Sequence, residues 1–586
     1  MYISEVNIKG FRNFENTTIN LTNKTLIIGA NDIGKTNFIY ALRIIFDKSL
    51  NENDLELYDT DYNAYTEADE IEITVCLSGI VEDCLKSHFG GDIKDGKTYI
   101  RYKNNKKGNY QIYGGYDINL LELKQGRNYL KCICIEYVDT NRDLYSFIRR
   151  ERAKLLATSK DNLNDSDFLN DQNSIEDIQK DLNEINEKVD NLNYIKNALS
   201  IVNDELNKLS VHNEDQNISF VAGKNDAKKM LDNLDLAYLS TDKSPLLLGG
   251  DGRNNQIFLA TWSSKQKMQK SSAQVTIFAI EEPEAHLHPH QQRKLSKYLL
   301  DIFEEQVLIT THSPHIASNF RPDKIVRIYA KNKISCVAQG GCSKNLGMTF
   351  EDFGYRLNAI TSELFFCNGV FLVEGPSEKM FYTALSQKIG IDIDRFNLSI
   401  ISVEGISFKP YIKVCKALDI PFVMRTDNDI YFKDGTSKFS GLSRAVGIYN
   451  ELISSSRQDP ISQYWIENKS ENEWNTSQIP PESLELNKTM REKLKTFNIF
   501  LSNTDLEYDL VESKLKLSLS IHYNEKDNNS IVKRMQKNKA ENMLEYLEKH
   551  YDTLYILKND DILLPLKKLV SLIAPEVHPL GVKANP

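Results

Sequence analysis

The chain has 586 residues, of which 41% are hydrophobic and 26% are charged, so a wholly disordered protein is excluded. Its formal net charge of −10 excludes a uniformly basic surface, and any nucleic-acid groove must be a local feature. No apolar run reaches the roughly 18–20 residues of a membrane span, no secretory signal is evident, and the sparse cysteines lack a C-x-x-C pair, so we expect a cytoplasmic protein without a membrane partner.

The first 150 residues alternate short strand-like runs with turns. LTNKTLIIGA (21–30) and EIEITVCLSGI (70–80) are predicted strands, and residues 99–116 are a predicted hairpin in which tyrosines alternate with basic residues. Such side chains could contact the phosphates and bases of DNA. A hairpin with one buried face has the same alternation, and we favour that simpler interpretation.

Residues 29–36 read GANDIGKT and match the phosphate-binding pattern G-x-x-x-x-G-K-[ST] in full. The motif follows the strand-like TLIIG and opens the helix-like NFIYALRIIF, which is the context that it requires. Lys35 can reach the β- and γ-phosphates, and the Thr36 hydroxyl can bind Mg²⁺. The predicted nucleotide-binding residues of this loop are Asn31, Gly34, Lys35, Thr36 and Asn37.

The composition changes near residue 157. The run TSKDNLNDSDFLNDQNS (158–174) is rich in turn formers and is a predicted linker. Beyond it, apolar residues recur at spacings of three and four from Ile175 to Leu209, which predicts a helix. The narrow stripe suits a dimerisation arm, and a long helix packed on its own domain is the alternative. We expect a helical insertion at about 157–240.

Two apolar strands follow the insertion. VTIFAIEEPE (275–284) ends at Glu281 and Glu282, and VLITTHSP (307–314) ends with His312. The first carboxylate would hold Mg²⁺ through water, the second would polarise the attacking water, and His312 would sense the γ-phosphate. The alternating histidines at 286, 288 and 290 lack further ligands at metal-binding spacing, so a zinc site is not favoured.

The second half of the chain has carboxylates where strands end. GVFLVEGPSEKMF (369–381) is a strand followed by Glu374 and by a helix start with Glu378, and PFVMRTDND (421–429) ends in Asp427 and Asp429. Ligand sites in parallel sheets lie at this edge. Because side chains alternate along a strand, we expect Asp427 and Asp429 to point to the same face.

Further charged residues follow in LSNTDLEYDL (501–510) and IVKRMQKNKAENM (531–543). The first run supplies Asp505, Glu507 and Asp509, and the second supplies Lys537 and Lys539. Converging carboxylates repel one another unless divalent cations neutralise them, and oxygen ligands favour Mg²⁺, Mn²⁺ or Ca²⁺ over zinc. Two such ions could hold the attacking and leaving oxygens of a phosphodiester, with a lysine stabilising the transition state.

These motifs resemble two known families. The loop at 29–36 together with FRNFE, EEPEAHLHP and THSP is similar to ABC-type ATPases of the SMC/RecF kind, in which a signature loop from a second subunit caps the nucleotide. The candidate here is LLLGGDGRNNQ, with Gly249 to Arg253, and it departs from Leu-Ser-Gly-Gly-Gln. Glu281 stands where an aspartate is usual. Both departures suggest inefficient ATP hydrolysis, so they favour a regulatory role of bound ATP over a role as energy source.

The second half resembles the Toprim domain of topoisomerases, primases and nucleases, through strand-E-G-x-x-E followed by strand-D-x-D. An ABC-type ATPase followed by a Toprim domain is the layout of the overcoming lysogenization defect (OLD) family. The motif sequences of this chain most resemble those of family members from Gabija antiphage systems. The expected fold is α/β, with an ATPase domain at 1–345 that contains the insertion and a Toprim domain with helical additions at 346–586.

The resemblance implies a DNA endonuclease that uses ATP and Mg²⁺ (or Mn²⁺), with cleavage gated by nucleotide. It also implies double-stranded DNA as substrate, a homo-oligomer (dimer or tetramer) and a GajB-like, UvrD-type partner helicase. By motif, the catalytic residues are Glu374, Glu378, Asp427, Asp429, Glu507 and Lys539, the first five of them metal ligands. Lys537 is a rival for Lys539, and Asp505 and Asp509 could instead begin a solvated helix.

Two other functions are compatible with parts of the pattern. An ATP-driven DNA clamp in repair, without nuclease activity, would need the ATPase motifs but not the carboxylates. A topoisomerase would need a nucleophilic tyrosine, and no tyrosine stands in a recognisable nucleophile domain. Plasmid cleavage that depends on Glu374 and Asp427 discriminates the nuclease from the clamp.

Overall fold

The computed structural model of the chain describes residues 1–106, 109–140, most of 154–200, 227–231, 238–239, 245–246, 273–342, 361–454 and 459–574. The chain forms two compact units. One comprises Met1–Tyr137, Thr276–Glu282 and Pro289–Pro586, and the other comprises Val138–Val275 and Pro283–His288. Every helix in the described ranges is too short or too polar to cross a membrane.

Two six-stranded sheets form the N-terminal part of the first unit. One is antiparallel, and its strands in spatial order are Phe14–Asn20, Tyr2–Phe11, Glu70–Ser78, Lys97–Asn105, Gln111–Gly115 and Glu122–Lys124. The other has the order Ile334–Val337, Ile325–Lys331, Lys24–Ile28, Val307–Thr310, Val275–Glu281 and Ile133–Val138. The helices around them are Lys35–Phe46, Glu52–Leu55, Asp83–Phe89, Pro289–Ile302 and Pro314–Ala317.

The second sheet brings together segments that lie far apart in sequence. Lys24–Ile28 pairs in parallel with Val307–Thr310 on one side and with Ile325–Lys331 on the other. Val275–Glu281 then pairs in parallel with Val307–Thr310. Continuous apolar runs are typical of parallel strands, which are covered on both faces. Because parallel strands end at a common edge, the phosphate-binding loop, Glu282 and His312 all follow strands at that edge.

The strands predicted at 21–30 and 70–80 and the hairpin at 99–116 are confirmed. In the hairpin, Tyr102 pairs with Ile112 and is buried. The basic residues Arg101 and Lys103 form ion pairs with Glu72 and Glu70 on the neighbouring strand. Their charges are therefore already compensated within the sheet, which supports the structural interpretation of this hairpin over a DNA contact.

The second unit contains the helix Asp165–Asp190, the short helix Ala227–Leu231 and the antiparallel strands Tyr238–Leu239 and Pro245–Leu246. The linker predicted at 158–174 is wrong over most of its length. Residues 158–161 are helical, and a second helix begins at Asp165, because the Asn164 side chain accepts a hydrogen bond from the Asp167 N–H and so caps it. Ile185 is exposed and Ile195 is buried. The rest of the predicted stripe, from residue 201, lies outside the described residues.

The C-terminal part of the first unit is built on a four-stranded parallel sheet. Its spatial order is Leu398–Ser402, Gly369–Val373, Phe422–Thr426 and Ile499–Leu501, and a three-stranded antiparallel sheet contains Ile430–Lys433, Thr436–Phe439 and Glu473–Trp474. The helices are Pro376–Ile389, Phe408–Ala417, Ser440–Ile448, Pro460–Asn468, Pro481–Lys495, Leu506–Glu512, Lys516–Tyr523, Asn528–Lys537, Lys539–His550 and Leu564–Ile573. The boundary predicted near residue 345 lies outside the described residues.

The C-terminal helices share one core with this sheet. Phe371 from the first strand and Tyr382 from the following helix pack with Met543, Tyr546 and Leu566 from the last third of the domain. All five side chains are almost fully buried, and each such burial stabilises the fold by roughly 1.5–3 kcal/mol. This shared core holds the helix that begins at residue 539 against the carboxyl edge of the sheet.

Candidate active site and nucleotide site

The loop at 29–36 lies between the strand Lys24–Ile28 and the helix Lys35–Phe46, which is the context that its motif predicts. Gly34 has φ of 105°, and the side chain of Asn13 lies so close that a Cβ at Gly34 would clash with it. The Lys35 ammonium donates to the carbonyl oxygens of Gly29 and Ala30, at 3.1 and 2.7 Å. Asn31 and Thr36 are exposed at the mouth of the loop, where both can meet a phosphate group.

Asn37 belongs to a polar chain beside this loop. Its side-chain amide donates to Asn13 Oδ1 at 2.7 Å, and its Oδ1 accepts from Arg12 Nη1 at 2.7 Å. Arg12 also contacts Asp61 and lies over the ring of Tyr40. The sequence motif alone did not identify Arg12, although the phrase FRNFE was already among the matching segments.

The acidic strand ends at the same edge of the sheet as the loop, with the strand Val307–Thr310 between them. Glu281 is 3% exposed, and its Oε2 accepts a hydrogen bond from the Tyr137 hydroxyl at 2.9 Å. Glu282 Oε1 lies 3.2 Å from His312 Nε2. The structure thus brings Glu282 and His312 together, whereas Tyr137 was missed by sequence reasoning because it comes from the strand at the edge of the sheet. The signature-loop candidate Gly249 to Arg253 lies outside the described residues.

Glu374 is fixed where its strand ends. Its Oε1 accepts hydrogen bonds from the Thr426 hydroxyl, from the Asp427 N–H at 2.9 Å and from Arg444 Nη2 at 2.9 Å. Glu378 is buried at the start of the following helix, and its Oε2 accepts from the Gly375 N–H at 2.9 Å. Glu374 and Asp427 therefore share one environment at the carboxyl edge of two adjacent strands.

Lys539 is the centre of the remaining carboxylates. Its Nζ lies 2.8 Å from Glu507 Oε2 and 3.4 Å from both Asp427 Oδ2 and Asp505 Oδ2. The three carboxylates are almost fully buried, whereas Lys539 is partly exposed. Three segments, of which the outermost two are 112 residues apart, thus meet at this site.

Burial sets the titration of this cluster. It raises the pKa of Asp427 to about 8, with Glu378 and Glu374 adding to the shift and with Arg425 and Lys539 opposing it. Burial likewise raises the pKa values of Glu378 and Glu507. Against its burial, hydrogen bonds from Gln536 and from the Tyr508 N–H keep the pKa of Asp505 below its usual range. A buried acidic group is costly when ionised, so a cation close to it is stabilising.

Two arginines support the cluster, Arg425 buried and Arg444 partly buried, and sequence reasoning missed both. Arg444 donates to Glu374, to the Thr426 hydroxyl and to the Asp427 carbonyl oxygen, all within 2.9 Å. Arg425 is 4% exposed and forms an ion pair with Asp509 at 2.7 Å. An arginine within the apolar run PFVMRT was a usable signal, because a buried charge needs a partner.

Two carboxylates lie differently from expectation. The side chain of Asp429 is exposed, and its carbonyl oxygen accepts hydrogen bonds from the N–H and hydroxyl of Ser440. The strand ends at Thr426, so the alternation that would turn Asp427 and Asp429 to one face no longer applies. A role of Asp429 in the site stays a prediction. Asp509 binds Arg425 and so supports the site indirectly.

The structure separates the two rival lysines. Lys539 reaches the carboxylates, whereas Lys537 is exposed at the end of the preceding helix. Asp505 also does more than begin a solvated helix. It caps the helix Leu506–Glu512 through a hydrogen bond from the Tyr508 N–H at 2.8 Å, and its second oxygen accepts from Gln536 Nε2 at 2.7 Å.

The donor set fits a hard divalent cation. In the described ranges, no three acidic, histidine or cysteine side chains are already arranged as a metal cage. The carboxylates are engaged instead by the cationic groups of Lys539 and Arg444. All the available ligands are nonetheless carboxylate oxygens in a buried cluster, which suits a hard divalent cation and not a thiolate- or imidazole-binding metal.

The raised pKa of Asp427 predicts how stability depends on pH. The folded state holds a proton up to about pH 8, and the unfolded state loses it near pH 4. In metal-free buffer the folded state binds more protons between these values, so the contribution of Asp427 to stability falls as pH rises. We expect Asp427→Asn to gain in Tm relative to wild type from pH 5.5 to pH 8.5, as measured by thermal unfolding in EDTA. A Tm difference that does not change with pH contradicts this.

Two models of known protein families match parts of the sequence. A family model described as AAA ATPase domain matches residues 1–125 and 80–317, which together cover more than half of the chain. A second model, described as the TOPRIM domain of overcoming lysogenization defect protein-like proteins, matches residues 365–429. That second match contains Glu374, Glu378 and Asp427. The two models imply the use of a nucleotide and of a divalent metal.

Individual relatives extend this likeness. The chain is 26% identical over 577 residues to endonuclease GajA of Bacillus cereus (strain VD045), covering 93% of this chain and 95% of that protein. It is 26% identical over 228 residues to the OLD nuclease of Thermus scotoductus (strain ATCC 700910 / SA-01), covering 36% of this chain and 41% of that protein. With an AAA ATPase domain followed by an OLD-like Toprim domain, and with similarity to GajA along nearly its whole length, the chain belongs to the OLD family of nucleases.

Proposed function

We propose that this protein is an ATP-binding, divalent-metal-dependent DNA endonuclease that acts in antiphage defence. The observation that carries the proposal is the meeting of Asp427, Asp505 and Glu507 at Lys539, with Glu374 one hydrogen bond away from the Asp427 backbone. A buried cluster of this composition is costly for folding alone and is typical of a site for cations and phosphates.

The chain's own residues can perform distinct parts of phosphodiester hydrolysis. Glu374, Asp427 and Glu507 would hold the metal, with Glu378, Asp429 and Asp505 as further candidates. When bound, Mg²⁺ or Mn²⁺ supplies charge that activates water and stabilises the leaving oxygen. Arg444 keeps Glu374 oriented, and Lys539 is placed to stabilise the negative charge that develops on the phosphate.

Plasmid cleavage tests the proposal directly. Wild type with Mg²⁺ or Mn²⁺ is expected to nick or cut supercoiled DNA, and Glu374→Ala and Asp427→Ala are expected to abolish cutting. ATP turnover without any cleavage would instead identify a DNA clamp. The homo-oligomer, dimer or tetramer, and the UvrD-type partner helicase that the family resemblance implies belong to the same proposal, and a solution mass and co-purification test them.

Nucleotide binding would affect the cleavage site through the hydrogen bonds of Arg327, which connect the ATPase sheet to the Toprim domain. We call this set of contacts the joint. Arg327 pairs with Ile28, which directly precedes the phosphate-binding loop. Its guanidinium is buried and donates to the carbonyl oxygens of Leu418 and Asp419 at 3.0 and 3.1 Å, and to that of Cys367 at 3.1 Å. A shift of the loop strand is thereby transmitted to the segment that leads into the strand before Asp427.

If the joint transmits the effect of ATP, a variant without it should lose the ATP dependence of cleavage but keep the cleavage itself. Arg327→Met keeps much of the side-chain volume and removes the three hydrogen bonds, so the ratio of cleavage rates with and without ATP is expected to move toward one while metal-dependent cleavage persists. Gln339→Ala, which removes only a 2.6 Å contact with Asp419, is the milder variant if Arg327→Met does not fold. An unchanged ATP effect in both folded variants contradicts the joint.

A further inference from the structure

A two-stranded ribbon extends from the domain directly after the catalytic carboxylates. It consists of Ile430–Lys433 and Thr436–Phe439, and we call it the ribbon. Ile430, Tyr431 and Phe432 are consecutive residues that are 45%, 52% and 68% exposed. Successive residues of a strand face opposite sides, so both faces of this strand present apolar side chains to solvent. Consecutive exposed apolar residues are unfavourable in water, and in folded proteins they usually mark a binding surface.

The ribbon is held in a defined conformation. Asp434 and Gly435 have φ of 50° and 80°, which is the two-residue turn that matches the twist of paired strands and that the pair Asp-Gly favours. Thr436–Phe439 pairs on its other side with Glu473–Trp474, and the rings of Phe439 and Trp474 lie 5.0 Å apart. One strand is thus anchored to the domain, and Ile430–Lys433 forms the free edge.

The position of the ribbon relates it to the cleavage site. It begins one residue after Asp429, whose carbonyl oxygen is bonded by Ser440 at the end of the ribbon. Asp427, in the carboxylate cluster, is only two residues earlier. At roughly 3.4 Å per residue, the exposed strand reaches about 14 Å from this base, which corresponds to about four base-pair steps of duplex DNA.

We propose that the ribbon binds opened DNA beside the scissile phosphate, with Tyr431 and Phe432 stacking on unpaired bases. This inference rests on the proposed function. Flat aromatic rings stack on any base, and Lys433 at the end of the exposed strand can contact a phosphate. Lys438 lies opposite Tyr431 on the same face and is within 3.8 Å of Glu473. Lys433 lies on the free edge itself, and a charged residue there disfavours pairing with the edge of a second copy, so DNA fits this surface better than self-association does.

Binding is best measured in the Asp427→Asn background, where the DNA stays intact. The probes are a blunt duplex and a forked duplex with 2-aminopurine at the unpaired positions. Adding Tyr431→Ala and Phe432→Ala is expected to weaken binding to the fork by roughly 10- to 100-fold, to affect the blunt duplex less and to remove the change in 2-aminopurine fluorescence. Tyr431→Phe with Phe432→Tyr retains both rings and should bind normally. Tyr555→Ala, at a tyrosine that is 53% exposed, is the control for loss of an exposed ring.

The outcomes separate this inference from the proposed function. Fork binding that is unchanged by the alanine pair, with normal cleavage in the Asp427-containing protein, overturns the ribbon alone. A change in solution mass with unchanged DNA binding makes the ribbon an interface between copies and also overturns the inference. If wild type cuts no DNA and the Asp427→Asn parent binds none, the proposed function is overturned together with it.

Discussion

Replacing Asp427 by asparagine is expected to lower DNA cleavage by roughly 1,000-fold or more while the protein remains folded. The Asp427 carboxylate contacts Lys539, and the Asp427 backbone N–H donates to Glu374. The amide of asparagine has a similar shape but no negative charge with which to hold a cation. Because burial already raises the pKa of Asp427 to about 8, a neutral side chain is well tolerated there, and Tm in EDTA should not fall.

The measurement combines nicking rates with thermal unfolding at increasing Mg²⁺. Wild type should gain Tm as the cation binds, and Asp427→Asn should lose most of this gain. Asp552→Asn is the matched control, since Asp552 is an exposed carboxylate of the same domain that pairs with Lys388. Cleavage by Asp427→Asn within tenfold of wild type would show that the chemistry lies elsewhere.

Lys539→Met is expected to lower the cleavage rate by roughly 100- to 1,000-fold, with Lys537→Met close to wild type. The two lysines are two residues apart, yet only Lys539 contacts Glu507, Asp427 and Asp505. Lys537 is exposed, so this pair of variants distinguishes a positioned cation from general positive charge near DNA.

A second readout follows from the metal-free contacts of Lys539. Its removal leaves three buried acidic side chains without the cation that contacts them, so Lys539→Met should be less stable than wild type in EDTA and should gain more Tm from Mg²⁺. Equal Mg²⁺ responses of wild type and Lys539→Met, together with equal cleavage, would contradict the assignment.

Features that depend on a short local motif could be predicted from the sequence. The phosphate-binding loop, the strand before Glu374 and the strand before Asp427 each combine an apolar run with a turn, and their positions follow from short-range chemistry. The meeting of Glu374 with Asp427 was also predictable, since parallel strands end at one edge. These features account for the family layout and for much of the candidate site.

What the sequence left open depends on where strands end and on which helices pack together. The exposed position of Asp429 follows from a strand that ends at Thr426, so that neither Asp427 nor Asp429 lies within the strand and alternation does not apply to them. The choice of Lys539 follows from the core that the last helices share with the sheet. Arg444 lies in a helix whose sequence gives no hint of Glu374, because that contact spans 70 residues.

The interrupted ATPase sheet has a consequence during synthesis. Leu26 pairs with Ile309 and Ile325. The strand Lys24–Ile28 therefore stays unpaired until its partner strands, about 280 residues later in the chain, have been synthesised. At about 5–20 residues per second, a ribosome needs roughly 15–60 s to supply them. The antiparallel sheet of residues 2–124 can form meanwhile, but the apolar run Leu26–Ile28 stays without its neighbours. During that time this apolar run is a site at which nascent chains can aggregate.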